Sequence, residues 1–410
     1  MSFEMLETQT QGTVIKVVGV GGAGGNAVSH MIHKGVQGVE FICANTDAQS
    51  LDRSKAHHVL QLGSSGLGAG ARPEAGKAAA EQDRARIAEA LAGAHMVFIT
   101  AGMGGGTGTG AAPVVAEIAK EQGALTVAVV TKPFSFEGPR RMQAAEQGLA
   151  ELQGKVDSLI VILNEKLEEV LGDDITQLEA FSAADDVLNN AVAGIAEIIN
   201  VEGLVNVDFE DVKTVMGEQG KAMMGTASAS GPDRARIAAE QAVRSPLLEG
   251  VDLSGARGIL VNITANASLK LKETKLAMET IRTFAAEDAT IIFGTVNDDS
   301  MKEDMRVTVV ATGLGRAARR PTLVPPISVP VVSQVARTGT YDGHSAPVQA
   351  FGGDGANAPA NGPATDYAGY DQPAIWRQPP RSEAAARVLA LEEGGMDKLD
   401  IPAFLRKQAD

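Results

Sequence analysis

The chain is poor in cysteine and in large aromatic residues, with one Cys, one Trp and three Tyr in 410 residues. A lone cysteine, Cys43, cannot close an internal disulfide. Within the apolar run Val39–Ala44 it reads as a small buried hydrophobe. So few rings cannot build the stacking platforms that hold single-stranded nucleic acid. Positive charge is also scarce: 36 Lys and Arg against 51 Asp and Glu leave a net charge of -15. Without a basic footprint, the phosphate backbone of DNA or RNA finds no partner. No apolar run approaches the ~18 residues of a membrane-spanning helix. The acidic start Met1-Ser2-Phe3-Glu4-Met5-Leu6-Glu7 lacks the basic-then-apolar pattern of a signal peptide. The expectation is a cytoplasmic protein that meets a membrane only through a partner. The six histidines build no metal site on this reading. His30 and His33 share a helix face, but no third ligand lies at suitable spacing.

Glycine, by contrast, is abundant at 46 residues, and three clusters stand out. The richest is Gly104-Gly105-Gly106-Thr107-Gly108-Thr109-Gly110, between the apolar strand Met96–Thr100 and the run Ala111-Ala112-Pro113-Val114-Val115-Ala116. A bare backbone lets several N–H groups converge on one anion. Thr107 and Thr109 add hydroxyls, and the following helix, with Pro113 expected in its first turn, aims its positive end at the same spot. Strand, donor-rich loop and helix N-terminus together make a phosphate cradle.

A second cluster, Gly19-Val20-Gly21-Gly22-Ala23-Gly24-Gly25-Asn26, follows the first strand and opens a helix. It satisfies Gly-x-Gly-x-x-Gly at 19, 21 and 24, and Asp47 lies near the place of a ribose-binding acid. Alone, it would make an NAD-dependent dehydrogenase the alternative. A dinucleotide fold of that kind uses one glycine loop for one pyrophosphate. This chain has the loop at 104–110 and a third at Gly66-Leu67-Gly68-Ala69-Gly70-Ala71. Three adjacent cradles suit a nucleoside triphosphate better. The P-loop pattern Gly-x-x-x-x-Gly-Lys-Ser/Thr is absent.

Strand-like runs at Thr13–Val20, Val39–Ala44, His58–Leu62, Met96–Thr100, Leu125–Thr131 and Ser158–Leu163 alternate with helical spacing at Asn26–Lys34, Pro73–Ala92 and Pro113–Gln122. That alternation predicts an α/β fold, a Rossmann-like parallel sheet wrapped by helices, over residues 13–175. A long central helix follows from about Thr176 to Ile199, within 176–203 and ending at Gly203. Its apolar face is Leu178, Phe181, Ala184, Leu188, Ala191, Val192, Ile195 and Ile199. Residues 204–315 read as a smaller α+β domain with strands Gly258–Thr264, Thr290–Val296 and Arg306–Ala311, a helix Lys275–Ala285 and a mixed sheet. Residues 1–12 are expected to be flexible. Residues 316–395, rich in Pro, Gly, Ala, Ser and Gln, cannot bury enough to offset their ordering entropy and read as a disordered linker. Residues 396–410 end the chain as a short docking peptide.

Gly104–Gly110 resembles the signature of the tubulin/FtsZ superfamily. Asn45-Thr46-Asp47-Ala48-Gln49, Asn206-Val207-Asp208-Phe209, Ser245-Pro246-Leu247-Leu248 and the tail Leu399–Asp410 resemble its bacterial FtsZ branch. Similarity covers 13–315 almost continuously and the last twelve residues. The resemblance implies a GTPase that polymerises head to tail into the cytokinetic ring at midcell, on the inner face of the plasma membrane. GTP and GDP would be the nucleotides, with Mg2+ carried mainly by their phosphates and largely water-coordinated. Gly22, Ala23, Gly24, Gly25, Asn26, Gly105, Gly106, Thr107, Gly108 and Thr109 would hold the nucleotide. Glu137 and Arg141 look like the family's ribose and phosphate contacts; as plain structure they are a surface i,i+4 ion pair.

Phe181 and Asp185 lie one helical turn apart. A ring can stack on a purine, and a carboxylate can accept from both N1–H and N2–H2 of guanine, a donor pair that adenine lacks. Core packing is the alternative for Phe181. Asn206, Asp208 and Asp211 sit at the opposite end of the long helix. As plain structure they are an N-cap with first-turn acids, stabilising by about 0.3–1 kcal/mol each. Twenty-one residues beyond Asp185, or ~30 Å if the helix is continuous, they cannot reach their own subunit's nucleotide. Stacked head to tail they could serve the neighbour's, with Asp208 and Asp211 polarising the attacking water and Asn206 positioning it. In the tail, Leu399, Ile401, Phe404 and Leu405 are apolar, and Pro402 can open a helical turn. Asp400 lies among them, with Arg406 and Lys407 as the cationic end. The resemblance implies capture of this peptide by division adaptors of the FtsA and ZipA kind.

Overall fold

Alternation along the apolar runs decides the architecture. In the first strand, Ile15 and Val17 enter one core while Val18 and Val20 enter another, so the strand is buried on both faces. A computed structural model describes residues 12–172, 174–201, 205, 207–218, 220–245, 255–286 and 288–314. In chain order its elements are β1 (Ile15–Val20), α1 (Gly21–Lys34), β2 (Val39–Asn45), α2 (Ala48–Asp52), β3 (His58–Gln61), α3 (Pro73–Gln82), α4 (Arg84–Leu91), β4 (Met96–Gly102), α5 (Thr107–Glu121), β5 (Leu125–Lys132), α6 (Pro139–Gln153), β6 (Ser158–Leu163) and α7 (Asn164–Leu171). There follow α8 (Gln177–Asn200), α9 (Phe209–Met216), β7 (Gly220–Ala229), α10 (Arg234–Val243), β8 (Gly258–Ala265), α11 (Leu271–Arg282), β9 (Thr290–Asn297) and β10 (Met305–Leu314). The flexible N-terminus, the linker 316–395, the tail 396–410, Gly203 and Asn206 lie outside the described residues.

The strands form one sheet in the order β3-β2-β1-β4-β5-β6-β7-β10-β8-β9. From β3 to β6 all pairs are parallel. β1 lies between β2 and β4, so the strand order reverses there, and a crevice opens at the carboxyl ends of β1 and β4. The second region is mixed as expected: β10 runs antiparallel to β7 and β8, and β9 is parallel to β8. The sheet crosses between the regions through a short seam, Ser158↔Gly220 to Ile160↔Ala222.

α8 crosses this seam. Its start is capped on both sides, since Thr176 Oγ1 accepts from the Glu179 N–H at 3.3 Å and Glu179 Oε2 accepts from the Thr176 N–H at 3.0 Å. Leu188, Val192, Ile195 and Ile198 share one core with Val17 and Phe98 of the first region and Met224, Leu260 and Val310 of the second. The helix is therefore a common wall for both.

Several sequence expectations are corrected. α1 and α5 begin at Gly21 and Thr107, inside the glycine clusters, instead of at Asn26 and Pro113. Pro113 sits inside α5, well past its first turn. Low helix propensity makes glycine read as loop, but here it serves close packing. A Cβ at Gly21 would meet the Gly108 nitrogen at 2.8 Å, and one at Gly110 would fall on the Pro73 carbonyl oxygen. The expected helix Pro73–Ala92 is two, parted at Asp83, whose carboxylate accepts from the Gly63 N–H at 2.6 Å and pairs with Arg86. The expected helix Lys275–Ala285 runs from Leu271 to Arg282, started by Glu273 accepting from the Lys270 N–H. α6, α7, α10 and β7 have no counterpart in the sequence reading. β7 is rich in small residues and owes its strand to pairing with β10.

Replacing Gly110 with Ala should destabilise the fold by about 3 kcal/mol or more, because only backbone atoms surround the added methyl. Gly25→Ala, with nothing within 4 Å of the new Cβ, should be neutral or stabilise by up to about 1 kcal/mol. Urea midpoints of the two variants test this; equal midpoints would contradict the packing role.

Candidate functional site

At the reversal of strand order, the carboxyl ends of β1, β4, β5 and β6 open into a cleft of about 360 Å³. Gly22, Ala23 and Asn26 of α1 form one side, and Gly105, Gly106, Thr107 and Gly108 form the floor. Glu137, Arg141 and Asn164 line the next wall, and Phe181, Ala184, Asp185 and Leu188 of α8 close it. Gly24, Gly25 and Thr109 do not line it. Gly24 is buried against β4, Gly25 faces a smaller neighbouring pocket, and Thr109 Oγ1 accepts from the Gly104 N–H at 2.9 Å.

Two helix N-termini meet at the floor. Neither N-cap, Val20 of α1 nor Gly106 of α5, supplies a side-chain cap. The first-turn N–H groups, which have no intrahelical partner, remain as donors beside two positive dipole ends. The third glycine loop backs this floor. Ala69 Cβ stands 2.8 Å from a Cβ built on Gly106, and Thr46 Oγ1 is 2.6 Å from Thr107 Oγ1. The threonine hydroxyls thus hold the loops in shape. Asp47 is committed to capping α2, accepting from the Gln49 N–H at 3.0 Å and from Ser50 Oγ at 2.8 Å.

The α8 wall has different chemistry. Phe181 is 40% exposed and leans edge-on against Phe134, with ring centroids 5.3 Å apart, so core packing is not its role. Burial pushes the Asp185 carboxyl up to about 6, against the pull of nearby His30, and neighbouring Asp186 adds to the rise. Asp186 goes the other way. Burial raises it, but hydrogen bonds from His30 Nε2 at 2.8 Å and from Lys34 hold it below the usual carboxylate range. Arg141 pairs with Glu137, which also accepts from the Phe134 N–H at 2.9 Å. The i,i+4 pair exists, and both residues line the cleft.

Asn164 escaped the sequence reading. It is the first residue of α7, 4% exposed, and its Oδ1 has no hydrogen-bond partner among the described residues. Its signal was positional: an amide directly after β6, at the strand end where the other loops also gather.

At the far end of α8, Asp208 caps α9, its Oδ1 accepting from the Asp211 N–H at 2.8 Å. Both acids are exposed. α8 ends at Asn200 and Val201 is extended, so the helix is not continuous to residue 206. From Asp185 to Asn200 it spans about 23 Å at 1.5 Å per residue. Among the described residues no helix is long and apolar enough to cross a membrane.

Residues 14–172 match the family model "Tubulin/FtsZ family, GTPase domain", and residues 220–315 match "FtsZ family, C-terminal domain". The cell division protein FtsZ of Pseudomonas putida is 53% identical over all of both chains, and that of Pseudomonas aeruginosa 54%. The chain belongs to the FtsZ family. An FtsZ dimer from M. jannaschii superimposes with a TM-score of 0.71 at 44% identity, covering 75% of this chain and 89% of that one. This FtsZ-family chain is therefore a GTPase that binds GTP and GDP, and the dehydrogenase alternative has no support.

Asp185 makes stability depend on pH. Its folded value lies above its ordinary 3.8, so its stabilisation is complete below that value and is lost as pH rises through about 6. Asp185→Asn should therefore gain about 1–3 kcal/mol over the parent at pH 7.5 and almost nothing at pH 4. Urea titrations at both pH values measure the difference. A gain independent of pH would remove the cost of burying the carboxylate as its source.

Proposed function

We propose that this chain polymerises head to tail into filaments of the bacterial division ring, and that each nucleotide is hydrolysed at the junction of two subunits. The observation that carries this reading is the separation of the two halves of the chemistry. The cleft offers an anion cradle and a base wall, while the exposed acids Asp208 and Asp211 stand beyond the far end of α8. Triphosphate in the cleft would lie on the N–H groups of α1 and α5. The base would lie against Phe181, with Asp185 and Asn164 meeting the guanine edge and Glu137 and Arg141 near ribose and phosphate. Asp208 and Asp211 of the next subunit, with Asn206, would then polarise and orient the attacking water.

Exposed apolar residues support the stacking. Leu67, Phe136 and Leu178 are 89%, 62% and 81% exposed on elements around the cleft mouth, a surface that calls for a covering partner. The donor set at the floor is N–H and hydroxyl, which suits an anion. Mg2+ would therefore be held mainly by phosphate oxygens and water, where it neutralises charge on the transferring group. Capture of the tail peptide, Leu399 to Lys407, by adaptors of the FtsA and ZipA kind completes the reading and brings the filament to the inner membrane face.

Phosphate release per molecule should rise above a threshold protein concentration. A flat specific activity would exclude a shared site. Asn caps a helix as well as Asp does, so Asp208→Asn keeps α9 capped and isolates the carboxylate chemistry. Turnover should fall about 10²–10⁴-fold while polymer still sediments in GTP. Mixed with the parent protein, the variant should depress the parent's turnover; strictly additive rates would contradict catalysis in trans. For the base, GDP affinity should weaken as pH drops below about 6, because a protonated Asp185 cannot accept from both guanine donors. The slope should flatten in Asp185→Asn, and equal slopes would remove Asp185 from base recognition.

A further inference from the structure

Arg141 at the cleft holds a carboxylate, as do Arg84 and Arg86 farther away on α4. The Arg72 side chain holds none among the described residues. Its place is set by the backbone. The third glycine loop ends at Ala71 with φ of 55°, in the left-handed region that a residue with a Cβ rarely adopts. Arg72 then opens α3, its carbonyl oxygen accepting from the N–H groups of Ala75 and Gly76 at 3.1 and 3.3 Å. That turn lays the Arg72 backbone against Gly106 in the floor of the cleft, while its side chain is exposed at the edge and does not line the cleft. A Cβ built on Gly106 would meet the Arg72 nitrogen at 3.0 Å and its carbonyl oxygen at 3.2 Å. The side chain runs along the third loop, with Nε 3.9 Å from a Cβ built on Gly70.

We propose that Arg72 is a catalytic residue, its guanidinium closing on the terminal phosphoryl group of GTP bound in its own subunit. The proposal rests on the nucleotide reading of the cleft and deepens it. Water oxygen bonds to the γ-phosphorus, and the bond from that phosphorus to the β–γ bridging oxygen breaks. The electron pair passes to GDP, and the water proton leaves with the phosphate or to solvent. Negative charge spreads over the bridging and equatorial oxygens as this happens, and a planar guanidinium donates to two of them at once without giving up a proton. The cleft lining needs such a cation. It offers Lys132 and Arg141, and both are already paired, Lys132 with Glu146 and Arg141 with Glu137. A neighbour's Asp208 and Asp211 would bring further negative charge to the triphosphate. Arg72 is the cation on the third-loop side of that encounter.

Arg72→Ala should lose roughly 10²-fold or more in turnover while GDP affinity and sedimentable polymer in GTP stay as in the parent. Arg72→Lys should recover little, because an ammonium lacks the bidentate fork. Millimolar guanidinium chloride should restore turnover of Arg72→Ala saturably, a rescue that a purely structural arginine would not show. Mixing equal parts of Arg72→Ala and Asp208→Asn should regenerate about a quarter of the parent turnover, the share of neighbour pairs that joins both intact groups at one nucleotide. Near-parent turnover in Arg72→Ala, a loss without guanidinium rescue, or a mixture as slow as its components would each overturn the proposal. Full turnover in Asp208→Asn would instead defeat catalysis in trans, a failure distinguishable from that of Arg72.

Discussion

The site depends on how closely peptide backbones approach one another at the reversal of strand order. α1 follows β1 directly and α5 starts a few residues after β4, and α5 packs so closely that Gly108 meets Gly21 of α1 and Gly110 meets Pro73 of α3. Side chains at those positions would hold the helices apart. With only hydrogens there, two sets of uncapped N–H groups and two dipole ends share one floor. The glycines therefore act less as hinges than as missing bulk, and the rigidity of the cradle follows from the packing that their absence of side chains permits.

This also explains what was legible in the sequence. Six parallel strands and the long helix followed from periodicity, because burial leaves an unmistakable apolar record, whereas the capping box at Thr176 and Glu179 emerged only in the structure. The glycine clusters were recognisable as an anion cradle, yet their conformation was misread. Propensity describes an isolated chain, whereas at Gly21, Gly24, Gly108 and Gly110 neighbouring backbone leaves no room for a side chain, and the helices start there despite the glycines. β7 went unseen for the related reason that its small residues carry little strand preference until β10 pairs with them. Asn164 was missed because one amide at a strand end has no spacing pattern. Only its burial and its unpartnered Oδ1 mark it.

α8 converts local chemistry into a length. It presents Phe181 and Asp185 to the cleft near its start and passes between both parts of the sheet, ending at Asn200 shortly before the capped acids of α9. Being buried along most of its length, it cannot bend to bring those acids back. On the proposed reading, completion of the site by a second subunit follows from a stiff helix and two fixed ends, with no need for a moving lid.

Charge gives the last constraint. A chain of net charge -15 has to accommodate a polyanion, and piling lysines around it would require many unpaired cations. The cleft instead presents peptide dipoles, whose donors carry no net charge and cost nothing to leave beside water when the nucleotide departs. Burial makes the ionised Asp185 carboxylate on α8 costly, and on the proposed reading a donor pair on the incoming base would offset that cost. An acidic chain can thus present an anion with a floor of peptide donors, while the charged side chains Lys132, Glu137, Arg141 and Asp185 are kept to the walls around it.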